Sequence, residues 1–436
     1  MGTDVMWVMI LLGGMLVLFI LGVPISWSIG GVAIFVSLYL WGSVSMGIIV
    51  GQVYGGLMKV SFTALPLFVF MGVLLEKSGL ADDLFGMLYA WSGKMRGGLA
   101  VTSVVVCMIF AAMSGLTAAA CVTMGLIALP AMRNRGYSKD LALGSVVAPS
   151  TVGILIPPSV YMIIIGVIGR VSIGKLFIGG LIPGLLMSVL FIIYILFVAW
   201  RKPESCPATT EKVSWSVKLT QLRHLVLPMI IIVSVLGTIM AGIATPTEAA
   251  ALGCITLILS VIIRGRLTKK VIMETSLETY RLTAFNMWLI LISVAFSSVF
   301  IKVGGIEIMQ NLLVGEGMSR WVSFSLTMGI IFIMGMFLDP FAIVMIIGPI
   351  LFPIMAALGF DLVWIGVLFV VMLCTSYITP PFGANIFMLQ AVVPEDIKTE
   401  DIYHSIWPFL GVMLVTLMII ILVPDIVLWL PNTVMG

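Results

Sequence analysis

The sequence predicts an all-α polytopic membrane protein made of two inverted repeats, each with scaffold helices, a re-entrant hairpin and a broken helix. Three observations lead there. Of the 436 residues, 61% are hydrophobic and only 9% charged, with a mean hydropathy of +1.25, whereas a soluble domain carries about 25% charge. Gly125, Pro130, Gly136 and Pro157-Pro158 recur 223 positions later as Gly348, Pro353, Gly359 and Pro380-Pro381. Single Gly or Pro matches mean little in membrane helices, but one shared register that includes the chain's only two Pro-Pro pairs marks a duplication. Third, several apolar stretches are too long for one crossing and are interrupted by Gly, Pro and small polar residues, the sequence mark of a secondary transporter. Long continuous apolar runs exclude a β-barrel.

In chain order, Trp7 to Gly22 spans once if it extends to Ile25, and Pro24 opens a second span to about Trp41. Gly47 to Lys59 is less hydrophobic and suits the interface. Val60 to Leu75, with Pro66, is a third span. From Ser78 to Arg96, Asp82, Asp83, Lys94 and Arg96 mix with Leu80, Leu84, Leu88 and Trp91 at helical spacing, as in a helix lying on the membrane surface. Residues 98–133 hold about 35 apolar positions broken at Ser114-Gly115, where one crossing needs about 20; a re-entrant hairpin is expected. Residues 138–168 are broken at Pro149-Ser150-Thr151 and Pro157-Pro158, so this helix should unwind midway. Ile173 to Trp200 closes the first repeat, 1–200, and 201–223 is a polar cytoplasmic connector.

The second repeat, 224–436, follows the same plan. Leu225 to Ala244 is a span, and Pro246 and Gly253 stand 222 positions after Pro24 and Gly31. Arg264 to Tyr280 is polar and is expected to take the place of the connector at the first surface helix. Leu282 to Ile301 is a span and Ile306 to Gly317 a short amphipathic piece. A hairpin over 321–358 breaks at Leu338-Asp339-Pro340, and a broken helix over 362–389 breaks at Thr375-Ser376 and Thr379-Pro380-Pro381. Ile406 to Leu430 is the final span. With the N-terminus outside and both hairpins returning to their side of entry, 17 of the 22 lysines and arginines fall inside. Only Lys59, Arg170, Lys175, Lys302 and Arg320 fall outside, a strong positive-inside bias. If either overlong segment crossed once, every later loop would invert and the bias would collapse. The first hairpin then opens inward and the second outward.

Composition limits the chemistry. A net charge of +3 is too small to suggest nucleic acid, and Cys107, Cys121, Cys206, Cys254 and Cys374 show no paired spacing. His224 and His404 sit at segment ends. No HExxH, GxSxG or nucleotide-binding loop is present, so an enzyme is not expected. No basic region precedes the first apolar run, which reads as a membrane helix and not a cleaved signal.

The interruptions are where function is expected. Backbone that leaves the helix at membrane depth is tolerated only when buried in protein or lining a wet cavity. Freed carbonyls with Ser/Thr hydroxyls suit Na⁺, and helix N-termini suit anions. A first cation site therefore groups Ser114 and Gly115 with Pro149, Ser150, Thr151 and Gly153. A second groups Asp339 with Thr375, Ser376 and Thr379, and Thr117, Pro158, Pro340, Pro381 and Asn385 are candidates for the substrate. Two plainer roles compete: Ser and Thr back-bonding to helix carbonyls, and Asp339 capping the helix that Pro340 opens. Asp339 is the one carboxylate deep within a long apolar segment, where an unpartnered charge is costly.

At these residues a resemblance becomes specific. PLFVFMGVLLEKSG (66–79), MSGLTAAACVTMGLIALPAM (113–132), GILIPPSV (153–160), FLDPFAIVMIIGPILFPI (337–354) and TPPFGANIF (379–387) resemble the large membrane subunit of TRAP transporters, the tripartite ATP-independent periplasmic family, DctM type. The likeness covers essentially the whole chain. It implies the ion-transporter-superfamily fold with an elevator mechanism, in a multi-pass protein of the bacterial cytoplasmic (inner) membrane with its N-terminus periplasmic. It implies Na⁺-coupled import of small organic anions, typically carboxylates such as dicarboxylates, or sialic acid. A small four-helix membrane subunit and a periplasmic substrate-binding protein would be its partners, the former expected as a separate chain. The family's Na⁺ sites would map onto the hairpin tips and unwound segments just named. The competing expectation is a stand-alone Na⁺- or H⁺-coupled dicarboxylate or citrate carrier of the same fold. No arginine lies deep in an apolar segment to pair a substrate carboxylate, so the substrate itself is not legible.

Overall fold

The structure, a computed structural model, describes residues 2–92, 95–115, 117–208, 214–313, 319–381 and 383–436. Lys94, Lys212, the end of the piece expected over 306–317 and the side chain of Ser114 lie outside the described residues. Among the described residues the regular structure is entirely helical. Seven of its helices are long and apolar enough to cross a membrane.

The scaffold of the first repeat is Gly2–Ile20, Ile25–Trp41, Val44–Leu57 and Ala64–Lys77, followed by Leu80–Ser92. Its counterparts in the second are the stretch from Arg223 to Met240, Pro246–Ile263 and Lys269–Lys302, followed by Gly305–Leu313. Pro24 and Pro246 both stand where a helix begins, the place where a missing N–H costs nothing. The second start is reinforced by a capping box, with the Thr245 backbone N–H donating to Glu248 at 2.7 Å.

Two expectations are corrected. The polar stretch 264–280 is not a connector: from Lys269 it is the first part of one 34-residue helix, Lys269–Lys302. By register that helix matches Val44–Leu57 plus Ala64–Lys77, and the true counterpart of the surface helix Leu80–Ser92 is Gly305–Leu313. At about 1.5 Å per residue the long helix runs about 50 Å, well beyond a hydrocarbon core of about 30 Å, so its polar end projects past the apolar layer as helix and not as a loop. The final span is also divided, into Thr399–Leu422 and Asp425–Met435. Pro424 lacks the donor that would carry the helix through.

The two hairpins are Gly98–Ser114 with Thr117–Arg133, and Arg320–Gly335 with Pro340–Ala357. The interrupted helices are Lys139–Ser150, a 3₁₀ turn Thr151–Ile154 and Val160–Gly169, and then Leu362–Ser376 and Ala384–Gln390. Each matched residue of the duplication has a physical task. Gly136 and Gly359 take φ of 76° and 74° just past their helices. The following N–H groups, Tyr137 to Met132 O and Phe360 to Met355 O, close the same helix-ending turn. Ser138 and Asp361, again in register, cap the next helices by accepting from Leu141 N and from Val363 and Trp364 N. Pro157-Pro158 and Pro380-Pro381 are both cis. Gly125 and Gly348 lie where a hairpin arm crosses the interrupted helix of the other repeat: a Cβ would fall 2.6 Å from Leu389 at the former and 3.1 Å from Ile168 at the latter. Between apolar helices in lipid, attraction comes from close contact and not from water exclusion, so small residues decide how near the backbones come.

Charged residues assigned to the inner side cluster in space. Asp83 of the surface helix receives Arg264 at 2.8 Å and Arg266 at 2.9 Å, joining the first repeat to the second. Arg133 meets Asp396 at 2.6 Å, and Lys139 lies 3.6 Å from Asp401. Of the outer five, Lys302 stacks over Trp41 at 4.2 Å and Lys175 donates to the Gly436 carbonyl at 3.1 Å.

Candidate functional site

The two interruptions meet at the repeat axis. The Cys374 thiol donates to the carbonyl of Thr151 at 3.3 Å, and those residues are 223 apart, the period of the duplication. Residues related by the repeat can touch only where the pseudo-two-fold axis passes between them. The 3₁₀ turn of the first break and the last turn of Leu362–Ser376 therefore abut inside the protein.

Among the described residues, the five hydroxyls placed at the two cation sites all have partners. Ser150 donates to Val147 O at 2.8 Å and Thr151 to Ala148 O at 2.7 Å. Thr375 donates to Val371 O at 2.8 Å, Ser376 to Leu373 O at 3.2 Å and Thr379 to Thr375 O at 2.8 Å. This is the back-bonding alternative, yet it does not remove the chemistry. A hydroxyl that has donated its proton to a carbonyl still presents oxygen lone pairs, and all five are buried with no bulk water. Pro149 lies in the last turn of the first helical half, and Gly153 is buried within the 3₁₀ turn.

The tips differ. At the first, Gly115 adopts φ 63°, and a Cβ there would run into the backbone carbonyl of Pro158, so tip and Pro-Pro loop touch main chain to main chain. At the second, the Asp339 carboxylate accepts from Phe341 N at 2.8 Å and caps the arm that Pro340 opens. Asp339 thus does cap, and its remaining exposure is to a cleft.

That cleft, about 400 Å³, lies on the seam between scaffold and hairpins. Its scaffold wall carries Glu76, Glu278 and Asn286; the opposite wall carries Thr117, Tyr161, Asp339 and Tyr377. Thr117 keeps a buried hydroxyl with no partner. Of the residues assigned to substrate, only Thr117 lines this space. Pro158 touches the first tip, the Pro381 carbonyl accepts from Tyr403 at 2.6 Å, and Pro340 is the first residue of its helix. Asn385 is turned across the repeat boundary, its amide donating to Val147 O and Ser150 Oγ, both at 2.7 Å. Its carbonyl oxygen Oδ1 is buried and unpaired, so Asn385 joins the first cation candidate and not the cleft. The sequence reading missed Tyr161, Tyr377, Glu76, Glu278 and Asn286. Tyr161 and Tyr377 flank the Pro-Pro breaks, which was the available signal.

Comparisons agree with this architecture. The sequence profile of the Tripartite ATP-independent periplasmic transporter, DctM component, matches residues 12–426. The C4-dicarboxylate TRAP transporter large permease protein DctM of Rhodobacter capsulatus is 30% identical over 440 residues, covering 97% of this chain and 98% of that protein. The ectoine/5-hydroxyectoine TRAP transporter large permease protein UehC of Ruegeria pomeroyi is 31% identical over 422 residues, covering 95% and 96%. Among solved structures, the YdaH transporter of Alcanivorax borkumensis superposes with a TM-score of 0.63 at 12% identity, over 87% of this chain and 89% of that one.

Proposed function

The chain belongs to the DctM component of the tripartite ATP-independent periplasmic transporters, and on that premise we propose that it is the Na⁺-coupled transport subunit of an importer of small organic acids. The members of this family are transporter permease subunits, not enzymes. In this reading the protein sits in a bacterial inner membrane with its N-terminus periplasmic. It works with a small membrane subunit and a periplasmic binding protein that delivers the substrate.

One observation carries the proposal: two helix breaks of opposite repeats touch at the axis, at Thr151 and Cys374, with buried hydroxyl oxygens on both sides. Na⁺ is a hard cation that takes carbonyl and hydroxyl oxygens, and it is written here as a co-substrate. At the first break Ser150, Thr151, Gly153 and the unpaired Asn385 Oδ1 supply such oxygens, beside the tip at Ser114-Gly115. At the second, the oxygens we assign are those of Asp339, Thr375, Ser376 and Thr379. Two hairpins and two broken helices packed across the repeat boundary form one body, and the cleft lies between that body and the scaffold. Movement of the body along the scaffold, carrying ion and substrate together, is the elevator mechanism we assign. The test is uptake in proteoliposomes containing this chain, its small subunit and its binding protein. Uptake should require a Na⁺ gradient and both partners; uptake by the chain alone, or unchanged uptake without Na⁺, would reject the reading.

A further inference from the structure

We propose that the substrate carries a positively charged group, an ammonium or amidinium, in addition to its carboxylate, and that Tyr161, Tyr377 and Asp339 receive it. The inference rests on the cleft being the substrate site of the function proposed above, and deepens it.

The first observation is the charge of the walls. Asp339, Glu76 and Glu278 line the cleft, and among the described residues no lysine or arginine does. The adjacent Lys77 is engaged by Glu76 at 3.0 Å. A dianion entering this space would meet Asp339 and Glu278, with the nearest side-chain cation, Lys77, already held by Glu76. A zwitterion brings its own cation, and its carboxylate can be met by an Na⁺ at the breaks.

The second is the aromatic surround. Asp339 lies within electrostatic reach of Tyr161 and Tyr377. The Tyr161 and Phe341 rings pack edge to face with centroids 6.3 Å apart, and Tyr377 directs its hydroxyl toward the Met388 sulfur at 3.9 Å. Aromatic rings beside a carboxylate are surroundings that favour an organic cation. The third is Thr117, more than nine-tenths buried on the same wall with its hydroxyl unsatisfied. An unpaired buried hydroxyl is costly, and a ligand oxygen or N–H would relieve it.

The experiment is a thermal-shift titration of the full chain in lipid nanodiscs, with and without Na⁺, against ectoine (a cyclic amidinium carboxylate), glycine betaine and succinate. Ectoine or betaine should raise the melting midpoint in Na⁺, and succinate at the same concentration should not. Tyr161→Leu should weaken zwitterion binding about tenfold while Tyr161→Phe, which keeps the ring, preserves it. Succinate protecting as well as the zwitterions, no solute protecting, or Tyr161→Leu binding like the parent would each overturn the proposal. Stabilisation by Na⁺ without any solute is read in the same samples, so loss of ion coupling is separable from a wrong substrate class.

Discussion

The two hairpin tips occupy equivalent places and use different chemistry. At the first, the chain turns on Gly115, which sits in the left-handed region against the Pro158 carbonyl. The fit is made by backbone alone. At the second, the turn ends on Asp339, whose side chain supplies the cap and whose charge faces the cleft. Duplication preserved the helix ends, the crossing glycines and the Pro-Pro breaks. It did not preserve the side chains at the candidate sites. The repeat thus builds a symmetric frame in which one tip positions and the other carries charge.

The sharpest way to break that contrast is to exchange demands between the tips. Gly115→Ala should cost about 3 kcal/mol, combining a left-handed conformation at about 1–2 kcal/mol with an overpacked backbone contact at about 1–3 kcal/mol. Asp339→Asn, which keeps the capping oxygen, should cost less than about 0.5 kcal/mol. Thermal melts of both variants in nanodiscs decide it, and comparable losses would show that the tips are not specialised.

Next in size is the bond across the repeats. Asn385→Leu removes two 2.7 Å hydrogen bonds into the first break and should destabilise by about 2 kcal/mol, since Val147 and Ser150 lose a buried partner. A neutral result would mean that the halves are held together without it. Asp339→Asn should then raise the Na⁺ concentration for half-maximal uptake about tenfold, equivalent to about 1.4 kcal/mol. Thr375→Val is the control at the same break, and an equal shift there would deny Asp339 its special place.

The smallest effect concerns an asymmetry outside the membrane. Arg133 of the first hairpin binds Asp396, and its counterpart position in the second repeat, Ala356, has no charge. Hydrogen bonding to Arg133 holds the Asp396 carboxyl below the usual aspartate value of 3.8. A depressed carboxylate contributes stability above the unfolded value and loses it as pH falls through the folded one. Asp396→Asn should therefore melt slightly lower than the parent at neutral pH and match it once the pH has fallen low enough to protonate the parent's Asp396, a small effect for so exposed a pair. A difference that persists in acid would show that the pair is not the cause.

Much of the frame was legible because each signal was local. Gly136, Gly359, Pro24 and Pro246 punctuate helices by the conformations they permit, and charge sorted the loops. Helix 269–302 was misread because Lys269, Lys270, Glu274 and Glu278 look like a loop to hydropathy, although they are good helix formers. The break at Pro424 was overlooked because an apolar run reads as continuous even where a donor is missing.

The sequence by itself determined the duplication, the membrane class and the positions where helices must unwind, since proline and glycine act on their own backbone and composition acts everywhere at once. Only the tertiary structure decided that Thr151 and Cys374 meet on the axis, that Asn385 reaches into the other repeat, and that Tyr161, Tyr377 and Asp339 share a cleft with Glu76 and Glu278. These residues are far apart in the chain, and no local preference specifies which helix faces which. Packing settles it, through the few small residues that let backbones approach.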